Sequence, residues 1–476
     1  MRLMILAAAL SLSVPALAQT AAPASPAAIL ATAPAGTRFG LFVDDQGREV
    51  AAIRADDRFI PASNTKLFTT AAAMALLSQQ PAKGAVIGLV PGKGSVPSVL
   101  ISGQGTLSLS TAPECLTGCL APLVDQLAAK VRSVGDVIAD DSAFTDQRWS
   151  PGMSWNNIGT DSGTATSALV IDHNELPIVV TPGPAGKPPV VTVSPYYSLV
   201  NQALTVAEGE TRLGIDRAVG GRTLRLYGTI RVGAMPWRDL IGLDDPAHYA
   251  GWLVAQELGK RGVKVRGRVK TVHRPVGVAP VAAPYNLTVT AEAPPALLAD
   301  EVRLINKVSQ NLHSELLIRR LAFAAPPPEA GKAPLVDSLD RGLAAARTVY
   351  ESMGLPRAGY DFSDGSGMST YNRMSPRAAV ALLRWTAGQP WGAEYRASLP
   401  VGGVDGTLRR RFAGTPLAGK IFAKTGTLNA TNALSGWLIA ASGRELTFSI
   451  IANDVPDGAS ALAAMDQALL AIAAQN

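Results

Sequence analysis

The chain has 476 residues, too many for one small core, so two or three domains are expected. Apolar residues make up 47% and charged residues 17%, which excludes a disordered chain. The formal charge of +6 comes from scattered Arg and Lys with no aromatic-interleaved basic tract, which excludes nucleic acid as a partner; such mild basicity suits peripheral residence at an anionic envelope and otherwise serves solubility.

Met1-Arg2 is a short positive start, Leu3 to Val14 a compact apolar run, and Ala16-Leu17-Ala18 a small-x-small cleavage pattern with Gln19 as the new terminus. Residues 1–18 are read as a secretory signal and the mature protein as periplasmic. A membrane anchor is the competing reading, but the run is too short to span a bilayer. After an Ala/Pro-rich lead-in, Arg38 to Val43 and Glu49 to Arg54 read as strands around the turn Asp44-Asp45-Gln46-Gly47. Pro61-Ala62 then places Ser63 at the first turn of an apolar helix, Leu67 to Leu77.

The middle of the chain has strand-like stretches at Ser98 to Ile101, Pro189 to Val193 and Arg222 to Val232, separated by Gly/Pro-rich turns. Asp245-Pro246 opens a helix that runs to about Leu258, with Gly259 or Gly262 closing it, and Val263 to Thr271 resumes an alternating strand. Cys115 and Cys119 are close enough for a local disulfide in an exported chain. They have no second Cys or His cluster for zinc and no neighbouring His for a nucleophilic thiol. From Pro295 the pattern turns helical: Asp300 to Arg320 suits one or two helices, Ala325 to Pro334 a Pro-rich loop, and Ser338 to Met353 a helix ended by Gly354. Asp364-Gly365-Ser366-Gly367 is a turn. Gly419 to Thr427, Ala433 to Ala440 and Glu445 to Asn453 read as three strands, and Ala459 to Ala474 as a packed amphipathic helix. The two early and three late strands are expected to form one antiparallel sheet with helices on both faces.

Three short motifs carry the chemistry. In Ser63-Asn64-Thr65-Lys66, residues three apart share a helix face, so Lys66 can act as the base that a serine nucleophile needs. Burial near another cation, with Lys424 the candidate, favours the neutral amine. In Ser309-Gln310-Asn311, Ser309 suits proton transfer to the leaving group and Asn311 suits holding Lys66 and a substrate amide. In Lys424-Thr425-Gly426-Thr427, a Lys and Thr on an inner strand need a reason, and a substrate carboxylate supplies one. Gly426 admits close approach of a substrate backbone, and the N–H groups of Thr427 and Ser63 form a candidate oxyanion hole. Taken singly, the Ser63 motif is more simply a solvated helix face and the Ser309 motif a helix start, whereas a surface strand is the lesser reading of the Lys424 motif because Gly-Thr-Leu continues the strand. Rival nucleophile systems are missing from the sequence: there is no G-x-S-x-G elbow and no phosphate loop, and His173, His248, His273 and His313 make no metal spacing. No metal or cofactor is expected. His313, two residues after Asn311, reads as a helix polar residue and not as a triad base.

The ordered S-x-x-K, S-x-N and K-T-G set is that of β-lactamases and penicillin-binding proteins. More than half of the chain's length separates Ser63 from Ser309, and that long insert resembles the class C low-molecular-mass penicillin-binding proteins, which are D-alanyl-D-alanine carboxypeptidase/endopeptidases. The resemblance covers nearly the whole mature chain and includes Pro61 to Leu67, Asp140-Asp-Ser-Ala-Phe144, Asp364 to Ser369 and Lys424 to Leu428. It implies an α+β fold in which a penicillin-binding-protein/β-lactamase-like domain carries two nested, mostly β inserts. The expected borders are 19–87 and 290–476 for the catalytic domain, 88–111 and 201–289 for one insert, and 112–200 for the other. It further implies that Ser63 is acylated by peptidoglycan stem peptides ending in D-Ala-D-Ala, that cross-linked peptides are cut too, and that β-lactams acylate Ser63 as mimics. Lys66, Ser309, Asn311, Lys424 and Thr425 carry over at matching positions. Two departures concern the side chain recognised. Asn156 and Asn157 stand where the family often has an acidic residue after Trp, and Thr370 where it often has Arg, which leaves the diaminopimelate specificity open and not the serine chemistry. The competing expectations are a β-lactamase, for which no dedicated carboxylate is evident, and a non-catalytic penicillin- or peptidoglycan-binding module.

Overall fold

The computed structural model describes residues 25–80, 82–106, 109–280, 285–325 and 337–476. The expected leader, residues 1–18, lies outside these, as do residues 326–334 of the Pro-rich loop. A five-stranded antiparallel sheet organises the two ends of the chain, in the order Ile421–Leu428, Thr431–Ile439, Glu445–Asn453, Arg38–Asp45, Arg48–Ile53. It joins the two early strands to the three late ones as expected. The early hairpin turns at Gln46-Gly47, both with positive φ, as the right-handed twist of paired strands favours.

This sheet is buried on both faces. On one face Leu41, Val43, Leu434 and Phe448 meet Met465 and Leu469 of the C-terminal helix Leu462–Gln475. On the other, Ala433, Trp437 and Ile451 meet Leu67, Phe68 and Met74 of the helix Thr65–Leu77, together with helices Asn311–Ala324, Ser338–Ser352 and Pro376–Ala387. The serine helix therefore has almost no polar face: eleven of its residues are buried, which explains the uninterrupted apolar run in the sequence. The segment expected to hold one or two helices holds two, Leu298–Val308 and Asn311–Ala324, broken at Ser309 in the left-handed region (φ 66°).

The long insert has its own core. Its main sheet runs Val269–Arg274, Val137–Thr145, Ser98–Ser102, Val86–Val90, Thr288–Glu292, parallel across the first two contacts and antiparallel across the last two. A three-stranded sheet contains Glu175–Thr181, Val190–Val193 and Trp237–Gly242, and a four-stranded one lies between Ser198 and Arg231. The expected borders cut across this pairing. The strand Val86–Val90 straddles the 87/88 border, and Val137–Thr145, expected in the other insert, pairs with Ser98–Ser102. The strand expected over Val263 to Thr271 is two pieces, Lys264–Val265 and Val269–Arg274. The chain comes close to the Gly135-Asp136 backbone there, and a Cβ on Gly267 would lie 2.3 Å from the Asp136 carboxylate. The helix opened by Asp245 runs Pro246–Lys260, with the Asp245 carboxylate accepting from the His248 N–H at 2.9 Å. Cys115 and Cys119 are joined by a disulfide.

Candidate active site

Ser63 sits in a 3-10 turn, Ala62–Asn64, that leads directly into the helix Thr65–Leu77. Ala62 takes a positive φ of 47°, a strained conformation for a non-glycine residue. Its neighbours hold it there. The Asn64 amide donates to the Lys424 carbonyl at 2.9 Å, and Asn453 brackets Ile60, accepting from its N–H at 2.7 Å. Two glycines permit the close packing. A Cβ on Gly367 would lie 2.0 Å from the Ala62 carbonyl oxygen, and one on Gly426 would lie 2.7 Å from the Pro61 carbonyl oxygen. Gly426 thus serves the serine turn; it is buried and does not line the cleft.

The three motifs meet here. Lys66 Nζ donates to Ser63 Oγ at 2.9 Å, Asn311 Oδ1 at 2.7 Å and the Ser366 carbonyl at 2.5 Å. Lys424 Nζ donates to Ser309 Oγ at 2.8 Å and the Thr425 carbonyl at 3.0 Å. Both amines are wholly buried. Burial lowers Lys66 to about 7, against the raising influence of the Asp364 and Glu315 carboxylates. Burial and the Lys66 charge push Lys424 well below its ordinary value. Burial lowers Lys66 as expected, but the neighbouring-cation effect runs the other way: it is Lys66 that lowers Lys424.

A cleft of about 710 Å³ opens over these groups, lined by Ser63, Ser309, Asn311, Thr407, Thr425 and Thr427 among others. Lys66 and Lys424 stand behind this surface, and Thr425 and Thr427 line it. Thr407 Oγ1 and Thr425 Oγ1 share a hydrogen bond of 2.7 Å. The insert supplies the opposite wall, where Ser154, Asn156, Asn157 and Ser162 face Met368 and Thr370. That wall is polar and uncharged.

A buried ionic layer supports the site, and sequence reasoning missed it. Glu315 accepts from the backbone N–H groups of Gly365 (3.0 Å) and Ser366 (2.9 Å), from Ser150 Oγ (2.8 Å) and from Arg319 (2.6 Å). Burial opposes its charge, but Arg319 and these donors hold it below the usual carboxylate range. Asp364 accepts from the N–H groups of Gly367 (2.9 Å) and Ser369 (2.6 Å) and from the Asn372 amide (2.6 Å). Burial and the Glu315 charge raise it to about 6. The Asp364–Ser369 loop is thereby fixed, and with it the Ser366 carbonyl that receives Lys66. The signal was present in Glu315 and Arg319, an i, i+4 pair that reads equally well as a solvated helix face.

The sequence and structure resemble known proteins over nearly their whole length. The D-Ala-D-Ala carboxypeptidase 3 (S13) family matches residues 24–475. A D-alanyl-D-alanine carboxypeptidase of Actinomadura sp. (strain R39) is 33% identical over 440 residues, covering 88% of this chain and 78% of that protein. The D-alanyl-D-alanine carboxypeptidase DacB of Haemophilus influenzae is 23% identical over 437 residues, covering 89% and 87%. The crystal structure of penicillin binding protein 4 (dacB) from Haemophilus influenzae matches with a TM-score of 0.78 at 21% identity, covering 93% of this chain and 97% of that one. At that identity the match establishes the shared fold. A second structure of the same protein, complexed with a novel β-lactam, matches with a TM-score of 0.72 at 20% identity, covering 94% and 98%.

Proposed function

The chain belongs to the D-Ala-D-Ala carboxypeptidase 3 (S13) family, and from that premise we propose that its cleft releases D-Ala from peptidoglycan stem peptides through an acyl-enzyme on Ser63. The observation that carries the reading is the position of Lys66, a buried amine near its titration point, hydrogen-bonded to the Ser63 hydroxyl. A neutral amine there is a base of suitable strength at neutral pH.

The steps follow from the contacts. Lys66 Nζ takes the Ser63 proton as Oγ attacks the carbonyl carbon of the penultimate D-Ala. The oxyanion is received by the N–H groups of Ser63 and Thr427. The C–N bond then breaks as Ser309 Oγ passes its proton to the departing amine and regains one from Lys424, the lysine it contacts. D-Ala leaves and an ester remains on Ser63. Attack by water, with the protons moving back through the same groups, releases the shortened peptide. The substrate carboxylate lies against Thr425, Thr427 and Thr407, and its charge favours the ammonium form of Lys424 behind them. β-Lactams acylate Ser63 by the same first step, and cross-linked peptides are cut where their linkage offers the same carbonyl.

Glu315 and Asp364 carry charge near the site, but their oxygens are engaged by backbone and side-chain donors. Neither is poised as a dedicated base for a deacylating water, which favours slow β-lactam turnover. The uncharged wall of Ser154, Asn156, Asn157 and Thr370 favours a neutral stem side chain. No helix among the described residues is long and apolar enough to cross a membrane. We place the protein in the periplasm, with residues 1–18 removed on export; Gln19 is the N-terminal residue expected on sequencing the exported protein. The purified protein is expected to release D-Ala from a D-Ala-D-Ala pentapeptide and Ser63→Ala to release none; full activity in the alanine variant would overturn the assignment.

A further inference from the structure

Ser309 and Asn311 flank a helix break, and such a break is not rigid by itself. Ser309 is left-handed, and Asn311 is the first residue of the next helix. The insert grips this segment at three successive points. The Ser162 carbonyl accepts from the Asn311 amide at 3.0 Å. Glu175 accepts from the Gln310 amide at 3.0 Å, and the other end of that side chain caps the helix by accepting from the His313 N–H at 3.1 Å. His173 Nδ1 lies 2.8 Å from His313 Nε2.

The turn that offers His173 and Glu175 is itself unusual. Asp172, His173 and Asn174 all have positive φ, at 47°, 56° and 56°. Asp, His and Asn tolerate that region better than most residues, yet three in a row need external support. They have it. Asp172 accepts from Ser110 Oγ (3.0 Å) and the Thr111 N–H (2.8 Å), and Asn174 accepts from the Ile171 N–H (3.2 Å) and donates to the Ala165 carbonyl (3.2 Å). His313 is buried and its Nδ1 has no partner. The two rings share one hydrogen bond between His173 Nδ1 and His313 Nε2, so one of these nitrogens donates and the other accepts.

We propose that Glu175 and His173 are positioning residues for the reaction: the insert's left-handed turn holds Gln310 and His313 so that Asn311 stays on the Lys66 amine and Ser309 on the Lys424 amine. The inference rests on the acyl-enzyme reading above. Burial and the Asp161 charge raise Glu175 to about 7, so its carboxyl is near its titration point and an amide of the same shape is a close replacement. Burial lowers both histidines, His313 to about 3, as a pair of neutral rings requires.

The test is the acylation of the full-length protein by a fluorescent penicillin, with single-turnover rates normalised to the titre of labelled sites so that unfolded protein does not count. Glu175→Ala is expected to lower the limiting acylation rate roughly tenfold while the saturation constant stays within about twofold, because alignment and not binding is lost. Glu175→Gln, which keeps an acceptor for Gln310, is expected to stay within roughly threefold of wild type, and His173→Phe to slow the limiting rate roughly threefold. A wild-type limiting rate in Glu175→Ala, or Glu175→Gln as slow as Glu175→Ala, overturns the proposal for Glu175. A wild-type rate in His173→Phe overturns it for His173. Ser63→Ala is the separate control: if it still labels at the wild-type rate, the nucleophile assignment has failed and not the positioning.

Discussion

Lys66 shows how a single side chain can be stable enough to keep and reactive enough to use. Its amine is wholly buried, satisfied by Ser63, Asn311 and the Ser366 carbonyl, and lowered from 10.5 to about 7 by desolvation. The unfolded chain therefore binds more protons than the native one between about pH 7 and 10.5, so this lysine penalises folding most below pH 7, and the penalty fades as pH rises. Lys66→Met should accordingly gain thermal stability relative to wild type at pH 6 compared with pH 10, whatever constant cost the lost hydrogen bonds impose. A melting-temperature difference independent of pH would contradict the assigned shift. The identity and spacing of this residue were legible in the sequence. Burial was expected to favour its neutral form; the opposing pull of Asp364 and Glu315 was not legible, because it depends on what the rest of the chain brings to the site.

At the level of elements, the sheet made by both chain ends and the serine helix could be read from alternation, turns and an unbroken apolar run. The loop Asp364–Ser369 could be read as a turn and as a stretch shared with the family, but not as a fixed support for Lys66, since that depends on Glu315 from another helix. Two substitutions test that loop. Gly367 has a φ of 89°, and a Cβ would press on the Ala62 carbonyl and, at 3.0 Å, on the Ser63 nitrogen. Gly367→Ala is expected to cost about 2–3 kcal/mol in urea unfolding and to slow penicillin labelling; an unchanged midpoint would count against the close approach. Arg319 is fully buried and pairs with Glu315. Arg319→Ala leaves that carboxylate unpaired and is expected to cost about 3–5 kcal/mol. Loss below about 1 kcal/mol would mean that Glu315 finds another partner or a proton.

Across the whole molecule, the catalytic unit and the insert have separate apolar cores joined by one small cluster. Leu312 and Leu316 pack on Phe144, Ala168 and Val170 of the insert. The insert's own strand partners were not legible, because residues 98–102, 137–145 and 269–274 pair in parallel across long sequence gaps with no turn to set the register. Leu316→Ala is expected to cost about 2–4 kcal/mol and to separate the melting of the two units in calorimetry; a single unshifted transition would show that the cluster does not couple them. Through the same contact, and through Ser162 on Asn311, the insert completes the site that the chain ends begin. The account stands or falls on a neutral Lys66 activating Ser63, and the most direct test is the rate of Ser63 penicilloylation from pH 5 to 9, followed by intact mass with the modified peptide mapped. The expected result is an adduct on Ser63 whose rate rises roughly tenfold per pH unit in the acid range and levels off above about pH 7. A rate flat or falling with pH, or an adduct on another residue, would contradict it.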